Sequence, residues 1–205
     1  MAQSEDPPED FVAPAANRVR PGTLLLANTD LMEPTFRRSV IYVVEHNDGG
    51  TLGVVLNRPP SETAVYNVLP QWSKLAAKPK TMFIGGPVKR DAALCLGTLR
   101  VGTDPQGMPG MRHVAGRMVM IDLDADPPDL IAPPAVEGVR IFAGYSGWTI
   151  GQLEGEIERD DWIVLSALPS DVLVEQRVDL WSRVLRRQPL PLSLLATHPI
   201  DVSRN

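Results

Sequence analysis

Apolar residues fall into short β-branched runs early in the chain and into helical spacing late. Residues 23–27 form a brief apolar run. Residues 39–45 (Ser-Val-Ile-Tyr-Val-Val-Glu) and 51–57 (Thr-Leu-Gly-Val-Val-Leu-Asn) are rich in side chains that suit a pleated surface. The link between them, His46-Asn47-Asp48-Gly49-Gly50, carries residues that tolerate positive φ, so the pair reads as a β-hairpin. Arg58-Pro59-Pro60 ends the second strand, because proline has no amide to give a ladder. Residues 61–69 read as a short helix capped by Ser61. Residues 81–84, 92–99, 117–123 and 139–143 read as further strands. Met108-Pro109-Gly110-Met111-Arg112 falls in a Gly/Pro-rich loop, and Asp126-Pro127-Pro128 opens another short helix.

The clearest helix follows Trp148. Thr149 and Gln152 stand at capping-box spacing, and Ile150, Leu153 and Ile157 share one face, with Glu154 and Glu158 on another. Residues 162–165 read as a strand. Residues 178–187 read as an amphipathic helix burying Val178, Trp181 and Leu185, with Asp179 and Arg183 paired four apart and Pro189 and Pro191 stopping it. Hairpins come first and helices gather later, without the alternation of strand and long helix that a doubly wound sheet needs, so the class is α+β. The pattern shows no internal repeat.

Composition adds bounds. At 205 residues and 43% hydrophobic, the chain fits one domain with a sizeable core. Residues 1–20, rich in proline, alanine and acids, read as a flexible arm, and residues 21–205 as a single domain. The net charge of −5 leans against nucleic acid, since the basic doublets Arg37-Arg38, Lys89-Arg90 and Arg186-Arg187 are scattered among acids. Cys95 is the one cysteine, so no intrachain disulfide forms and a reducing compartment is expected. The acidic start does not resemble a signal peptide, and no apolar run approaches the ~18 residues of a membrane span. A cytoplasmic location is therefore expected.

Among candidate chemistry, Gly144-Tyr145-Ser146-Gly147-Trp148 is the most distinctive stretch, reading as a turn from a strand into a capped helix. A nucleophile elbow sits in that context but needs glycine where Trp148 stands. The stretch reads better as a tight turn with Tyr145 and Trp148 as packing anchors, leaving the amides at residues 147–152 open to a ligand carboxylate or phosphate. Gly85-Gly86-Pro87 lacks the pattern of a phosphate loop or a dinucleotide site and reads as a bend. Glu45 and His46 end a strand but point to opposite faces, which disfavours direct acid–base pairing. His113 and His198 are isolated, and no metal-ligand spacing is present. Cys95, inside an apolar strand, reads as a small buried hydrophobe. The acids Glu154, Glu156, Glu158, Asp160 and Asp161 read as a solvated face, and Arg183, Arg186 and Arg187 as complements to a helix dipole.

Together these motifs resemble the bacterial YqgE/AlgH family. The likeness rests on Gly22-Thr-Leu-Leu-Leu-Ala27, Phe36-Arg-Arg-Ser-Val-Ile41, Glu45-His46 and Gly53-Val-Val-Leu-Asn-Arg-Pro59. It continues in Phe83-Ile-Gly-Gly-Pro-Val88 with Asp91, Phe142-Ala-Gly-Tyr-Ser-Gly-Trp148, Gly151-Gln-Leu-Glu-Gly-Glu-Ile157 with Trp162, and Asp179-Leu-Trp181. The resemblance implies an α+β domain whose bifurcated, mostly antiparallel sheet closes in part into a small barrel surrounded by helices. It further implies a bacterial cytosolic protein of a family often labelled as transcriptional regulators, and it supplies no catalytic residues. The sequence departs from the family pattern at Asn28 (proline is usual), Glu33 (aspartate) and Gly97 (often histidine), and relatives can carry alanine in place of Ser146.

The reading that fits best is a non-enzymatic regulatory or protein-interaction role, with another protein as partner and with no cofactor, metal or catalytic residue. The candidate surface comprises Glu45, His46, Asn57, Arg58, Gly85, Gly86, Pro87, Tyr145, Ser146, Trp148, Gln152 and Glu154. A small-ligand site or weak hydrolase at residues 144–152 stands second, and direct DNA binding third.

Overall fold

The computed structural model describes residues 18–104, 106, 108–124, 135–175 and 178–198. Of the arm expected over residues 1–20, residues 1–17 lie outside the described residues, whereas Val19 packs against the core and the Arg20 carbonyl accepts from the Thr23 hydroxyl; the helix expected at Asp126 also lies outside the described residues.

Nine strands are present among the described residues: β1 (Thr23–Ala27), β2 (Val40–Asn47), β3 (Gly50–Val55), β4 (Phe83–Ile84), β5 (Val88–Leu99), β6 (Met111–Ala115), β7 (Met118–Ile121), β8 (Val136–Trp148) and β9 (Trp162–Ser166). They form one sheet in the order β6-β7-β5-β8-β3-β2-β1-β9, with β4 joined to β8. Every pairing is antiparallel except β4 with β8. The expected hairpin is present as β2–β3, turning through Asp48 and Gly49 between the paired residues Asn47 and Gly50.

The sheet divides along β8. Its N-terminal part pairs with β5, while Ser146, Gly147 and Trp148 pair with Gly53, Leu52 and Thr51 of β3. Between these regions β4 enters the β3 side: the Gly85 amide donates to the Ala143 carbonyl at 3.0 Å, and the Val55 amide donates to the Gly85 carbonyl at 2.8 Å. The class and bifurcated plan expected from the sequence are both present.

Strand alternation then sorts the core into layers. Leu24, Leu26, Val40, Tyr42, Val44, Val54, Leu96, Met118 and Phe142 bury on the concave face of a curled half-barrel. Ile141, Val139, Cys95, Val119 and Ile121 face the other way, against Val65 and Trp72. Leu25, Ala27, Ile41, Val43 and Val55 pack with Trp148, Leu153 and Trp162 in a third layer. Strands buried on both faces read as continuous apolar runs, which is why β1 and β2 do not alternate in sequence.

The curl brings β6 round to β1 and β2. Arg112 on β6 forms an ion pair with Glu45 on β2, and a Cβ placed on Gly22 would lie 2.3 Å from that of Ala115. The described residues contain no backbone ladder between β6 and β2, so side chains alone seal this seam.

Among the described residues, four short α-helices flank the sheet: α1 (Val65–Val68), α2 (Gln152–Glu158), α3 (Pro169–Val172) and α4 (Leu180–Arg186). Several differ from expectation. Ser61 caps no helix, because residues 61–64 are committed to pairing: the Ser61 amide donates to the Met82 carbonyl, and the Met82 amide to the Thr63 carbonyl. At α2, Gln152 Oε1 accepts from the Thr149 amide as a capping box requires, but the Thr149 hydroxyl also donates to Gln152 and takes no first-turn amide. Leu153 is buried, whereas Ile150 is 74% exposed, because it precedes the first turn.

On α4 the buried residues are Leu180, Trp181, Ser182, Val184 and Leu185, and Val178 lies outside the helix, exposed. Asp179 does not pair with Arg183; it caps the helix, accepting from the Ser182 amide at 3.1 Å and the Ser182 hydroxyl at 2.6 Å. Arg187 does more than complement a dipole. It grips fully buried Asp171 through two bonds of 2.7 Å, tying α4 to α3.

Burial tends to raise the Asp179 carboxyl, but the two Ser182 bonds and the nearby Arg38 and Arg186 outweigh it and hold the group below its ordinary value. A depressed carboxyl contributes stability that is present above its unfolded-state pKa and is lost as pH falls through the folded value. Asp179→Ala is therefore expected to cost about 1 kcal/mol in urea unfolding near neutral pH. The gap between variant and wild type should shrink toward about pH 3, below the ordinary aspartate value. An equal gap at both pH values would remove the charge from this account.

Candidate functional site

The glycine–aromatic block forms strand where a turn was expected. Ladder bonding to β5 and β3 keeps residues 145–148 in the strand, with Gly144 at φ +70 where the register shifts. Ser146 is buried at 1% exposure, and its hydroxyl points at the Gly85 carbonyl at 3.4 Å, with no histidine or carboxylate bonded to it. It has neither a base nor access to substrate, so the elbow reading fails on geometry. Gly85 and Gly86 make the fork of the sheet. A Cβ on Gly86 would fall 2.2 Å from the Tyr145 carbonyl carbon, a distance no side chain tolerates.

The second half of the block is also structural. Glu156 Oε2 accepts both the Trp148 and the Trp162 indole N–H at 2.8 Å, and its Oε1 accepts from Gln152 at 3.1 Å. The two indoles meet edge to face at 6.0 Å. Glu156 is thus not part of a solvated face, as its acidic neighbours suggested. Glu154 is exposed.

Other expected site residues separate in the same way. Asn57 bridges two backbone groups, accepting from the Val40 amide at 2.9 Å and donating to the Arg38 carbonyl at 2.7 Å. His46 Nδ1 meets the Thr51 hydroxyl at 2.8 Å and does not bond Glu45. Of the twelve candidates, Glu45 and Tyr145 line one cavity, and Arg58, Gly86 and Pro87 line another.

The first cavity, about 1000 Å³, is a trough at the end of the curled sheet. Leu52, Leu94, Met120 and Tyr145 form one half, beside the Glu45–Arg112 pair. Leu69, Met82, Ala93, Cys95, Ala143 and Leu123 form the other, on the opposite face of β5. Tyr145 reaches the concave half because Gly144, at φ +70, reverses the alternation of β8. Burial pushes the Cys95 thiol up, leaving it protonated and poor as a nucleophile. The rim carries Asp91, Asp122, Asp124 and Glu45 against Arg90 and Arg112.

The first half of β5 runs between the two halves of the trough. Pairing of β5 with β7 stops at Cys95 and Ile121. Beyond that point the Asp122 amide turns to the Gly110 carbonyl, and the Trp72 indole holds the Leu123 carbonyl, so the chain leaves β5. Ala93 pairs with Ala143, whose carbonyl is already bonded to Gly85 on its far side. The two therefore form a non-hydrogen-bonded pair, and Ala93 directs its own N–H and C=O away from β8. They lie on the side of β5 that β7 no longer covers. Sequence reasoning missed this edge, because Ala92 and Ala93 carry no chemistry of their own. It missed Arg112 because Met108–Arg112 read as loop.

Among the described residues no three metal-ligating side chains gather, and no helix is long and apolar enough to cross a membrane.

The family described as AlgH-like (DUF179) matches residues 24–193. A UPF0301 protein of Mycolicibacterium vanbaalenii is 87% identical over 205 residues, covering all of both chains. One of Mycobacterium tuberculosis is 84% identical over the same span. A crystal structure of a Corynebacterium diphtheriae protein superposes with TM-score 0.84 at 41% identity, covering 91% of this chain and 96% of that one. The solution structure of AlgH from Pseudomonas aeruginosa gives TM-score 0.59 at 29% identity, covering 87% and 93%.

Glu156→Ala strips both indole N–H groups of their acceptor and is expected to destabilise by about 2–4 kcal/mol, at the scale of lost charge-assisted bonds. Glu154→Ala, two residues away and exposed, should stay within about 0.5 kcal/mol of wild type. Thermal unfolding of both variants separates the two roles, and similar melting points would refute the assignment.

Proposed function

The chain belongs to the AlgH-like family, and on that footing we propose that it is a cytoplasmic regulatory docking protein that performs no chemistry of its own. Its occupant is an extended segment of a partner protein, added as a strand to the open edge of β5 in the trough. The observation that carries this reading is the N–H and C=O of Ala93, turned away from β8 at a stretch of β5 that β7 no longer covers and that apolar space flanks on both faces. Backbone polar groups of an added strand find partners there, and its alternate side chains enter the two halves of the trough. The cavity size suits side chains of leucine or methionine class. Four acids against two arginines on the rim favour a segment with a basic flank. The glycine–aromatic block contributes by holding β4, β5 and β8 in register, and its hydroxyl at Ser146 takes no part. Control of transcription, if exerted, runs through protein contact, since the net charge of −5 opposes a DNA surface.

Edge pairing has a signature that simple hydrophobic capture lacks. Peptides selected from a displayed random library should bind with apolar residues at alternate positions. N-methylation at successive positions of one such peptide should weaken binding at every second residue, by tenfold or more at the worst. Ala93→Pro removes the edge N–H without taking a donor from the β8 ladder, so the fold should persist while peptide affinity falls at least tenfold. Binders indifferent both to N-methylation and to Ala93→Pro would sink the proposal.

A further inference from the structure

Arg58, Gly86 and Pro87 come together in a second cavity on the opposite side of the sheet fork, about 450 Å³ in volume. Its walls are rigid and apolar, formed by Pro34, Phe36, Pro59 and Pro87, and its charged lining consists of Arg58 and Arg90. No acid is among its described lining residues. Phe36 is held by an edge-to-face contact with Trp162 at 5.7 Å, so the aromatic wall is fixed before any ligand arrives. Arg58 makes one hydrogen bond, a long one of 3.3 Å to the Pro34 carbonyl, and no carboxylate among the described residues lies within ion-pair distance of it. Arg90 likewise has no ion-pair or side-chain hydrogen-bond partner among them.

From this geometry we infer that the groove is a binding site for a small oxyanion carried on a flat apolar body, a carboxylate or a phosphate monoester. The apolar body lies between the prolines and the Phe36 ring, and the anion is held by Arg58, with Arg90 closing over it. Charge complementarity selects this occupant. A neutral ligand would leave Arg90 without a carboxylate partner among the described residues and Arg58 with only the pull of Glu33 from outside the groove, and a cationic one would be repelled. Burial already pushes the Arg58 guanidinium down, against the opposing pull of Glu33 outside the groove. A bound anion compensates that desolvation, and a guanidinium fork suits either oxyanion. The groove shares only Arg90 with the lining of the trough, and its test uses no peptide.

The test is a matched series on one skeleton: 2-naphthoate, 2-naphthyl phosphate, 2-naphthol and 2-naphthylmethylamine, titrated into the full chain and followed by amide NMR shifts. Saturable shifts centred on Gly86 and Phe36 are expected for one or both anions. The naphthol should bind at least tenfold more weakly, and the amine not at all. The ratio between the two anions identifies which oxyanion the groove takes. Arg58→Met and Arg90→Met should each weaken the anions about tenfold and leave the naphthol unchanged, with the wild-type amide spectrum confirming that each variant is folded. Equal binding of anion and naphthol, shifts centred away from the groove, or full affinity in both variants would overturn the assignment.

Discussion

The architecture depends on the hydrogen bonding of one strand. β8 runs for thirteen residues, and each buried peptide group along it must find a partner. No single neighbour supplies them all on the β3 side. Ala143 is served by Gly85 from β4, and Ser146 to Trp148 are served by β3. Two chains can share one edge only if their backbones approach closely at the point of exchange. Gly86 permits that approach, since a Cβ there would overlap the Tyr145 carbonyl. The fork, the direction of β5 and the position of both cavities follow from this exchange.

Curling follows next. With β5 and β3 splayed from the same strand, the sheet wraps until β6 meets β1 and β2, where a missing Cβ at Gly22 lets Ala115 in. The Glu45–Arg112 pair at this seam is half-exposed on both sides, with side chains 37% and 48% accessible. A pair of that kind adds at most about 1 kcal/mol, so it orients the two strands more than it stabilises them. The interior is secured elsewhere: Trp181 donates to the Ala27 carbonyl at 2.8 Å, and Arg140 bonds the Val174 and Lys78 carbonyls while stacking on Phe83. Arg140 is a buried cation with no ion-pair partner among the described residues, and burial lowers its pKa to about 10. Its role is to anchor two loops to β8, with the Phe83 ring face helping to offset the charge.

Legibility in the sequence tracked how local each determinant was. β1, the β2–β3 hairpin and β9 were readable because their signals, apolar runs bounded by turn residues, lie within a few positions. The end of β8 was misread because Gly144 and Gly147 signal a turn, and the ladders that override them come from residues some 50 to 100 positions away. β6 was invisible because its residues are half-exposed and lie between Gly110 and Gly116. Ser61 fitted a helix cap in every local respect, yet residues 80–82 claim the backbone around it. Glu156 looked like one acid among five, and only the fold shows that two tryptophans converge on it. Of the twelve site residues chosen from sequence, most turned out to build the scaffold.

That outcome has a physical reason. Glycines and tryptophans stand out in a sequence because the fold restricts what else fits there, and such restriction is strongest where backbones cross closely or large rings interlock. A surface that recognises an extended chain needs neither. It needs backbone N–H and C=O groups left unpaired, small side chains that do not block approach, and apolar space on either side. Ala93 turns its N–H and C=O to the open side of β5 and Ala92 beside it is small and exposed, while neither carries a signal of its own. Lys89 at φ +44 and the charged pair Arg90-Asp91 just before them are devices that keep an open edge from pairing indiscriminately. Their presence is consistent with an edge that the fold leaves exposed and guards against random association. The most distinctive block in the chain therefore builds the fork of the sheet, while plain residues compose the open end of β5.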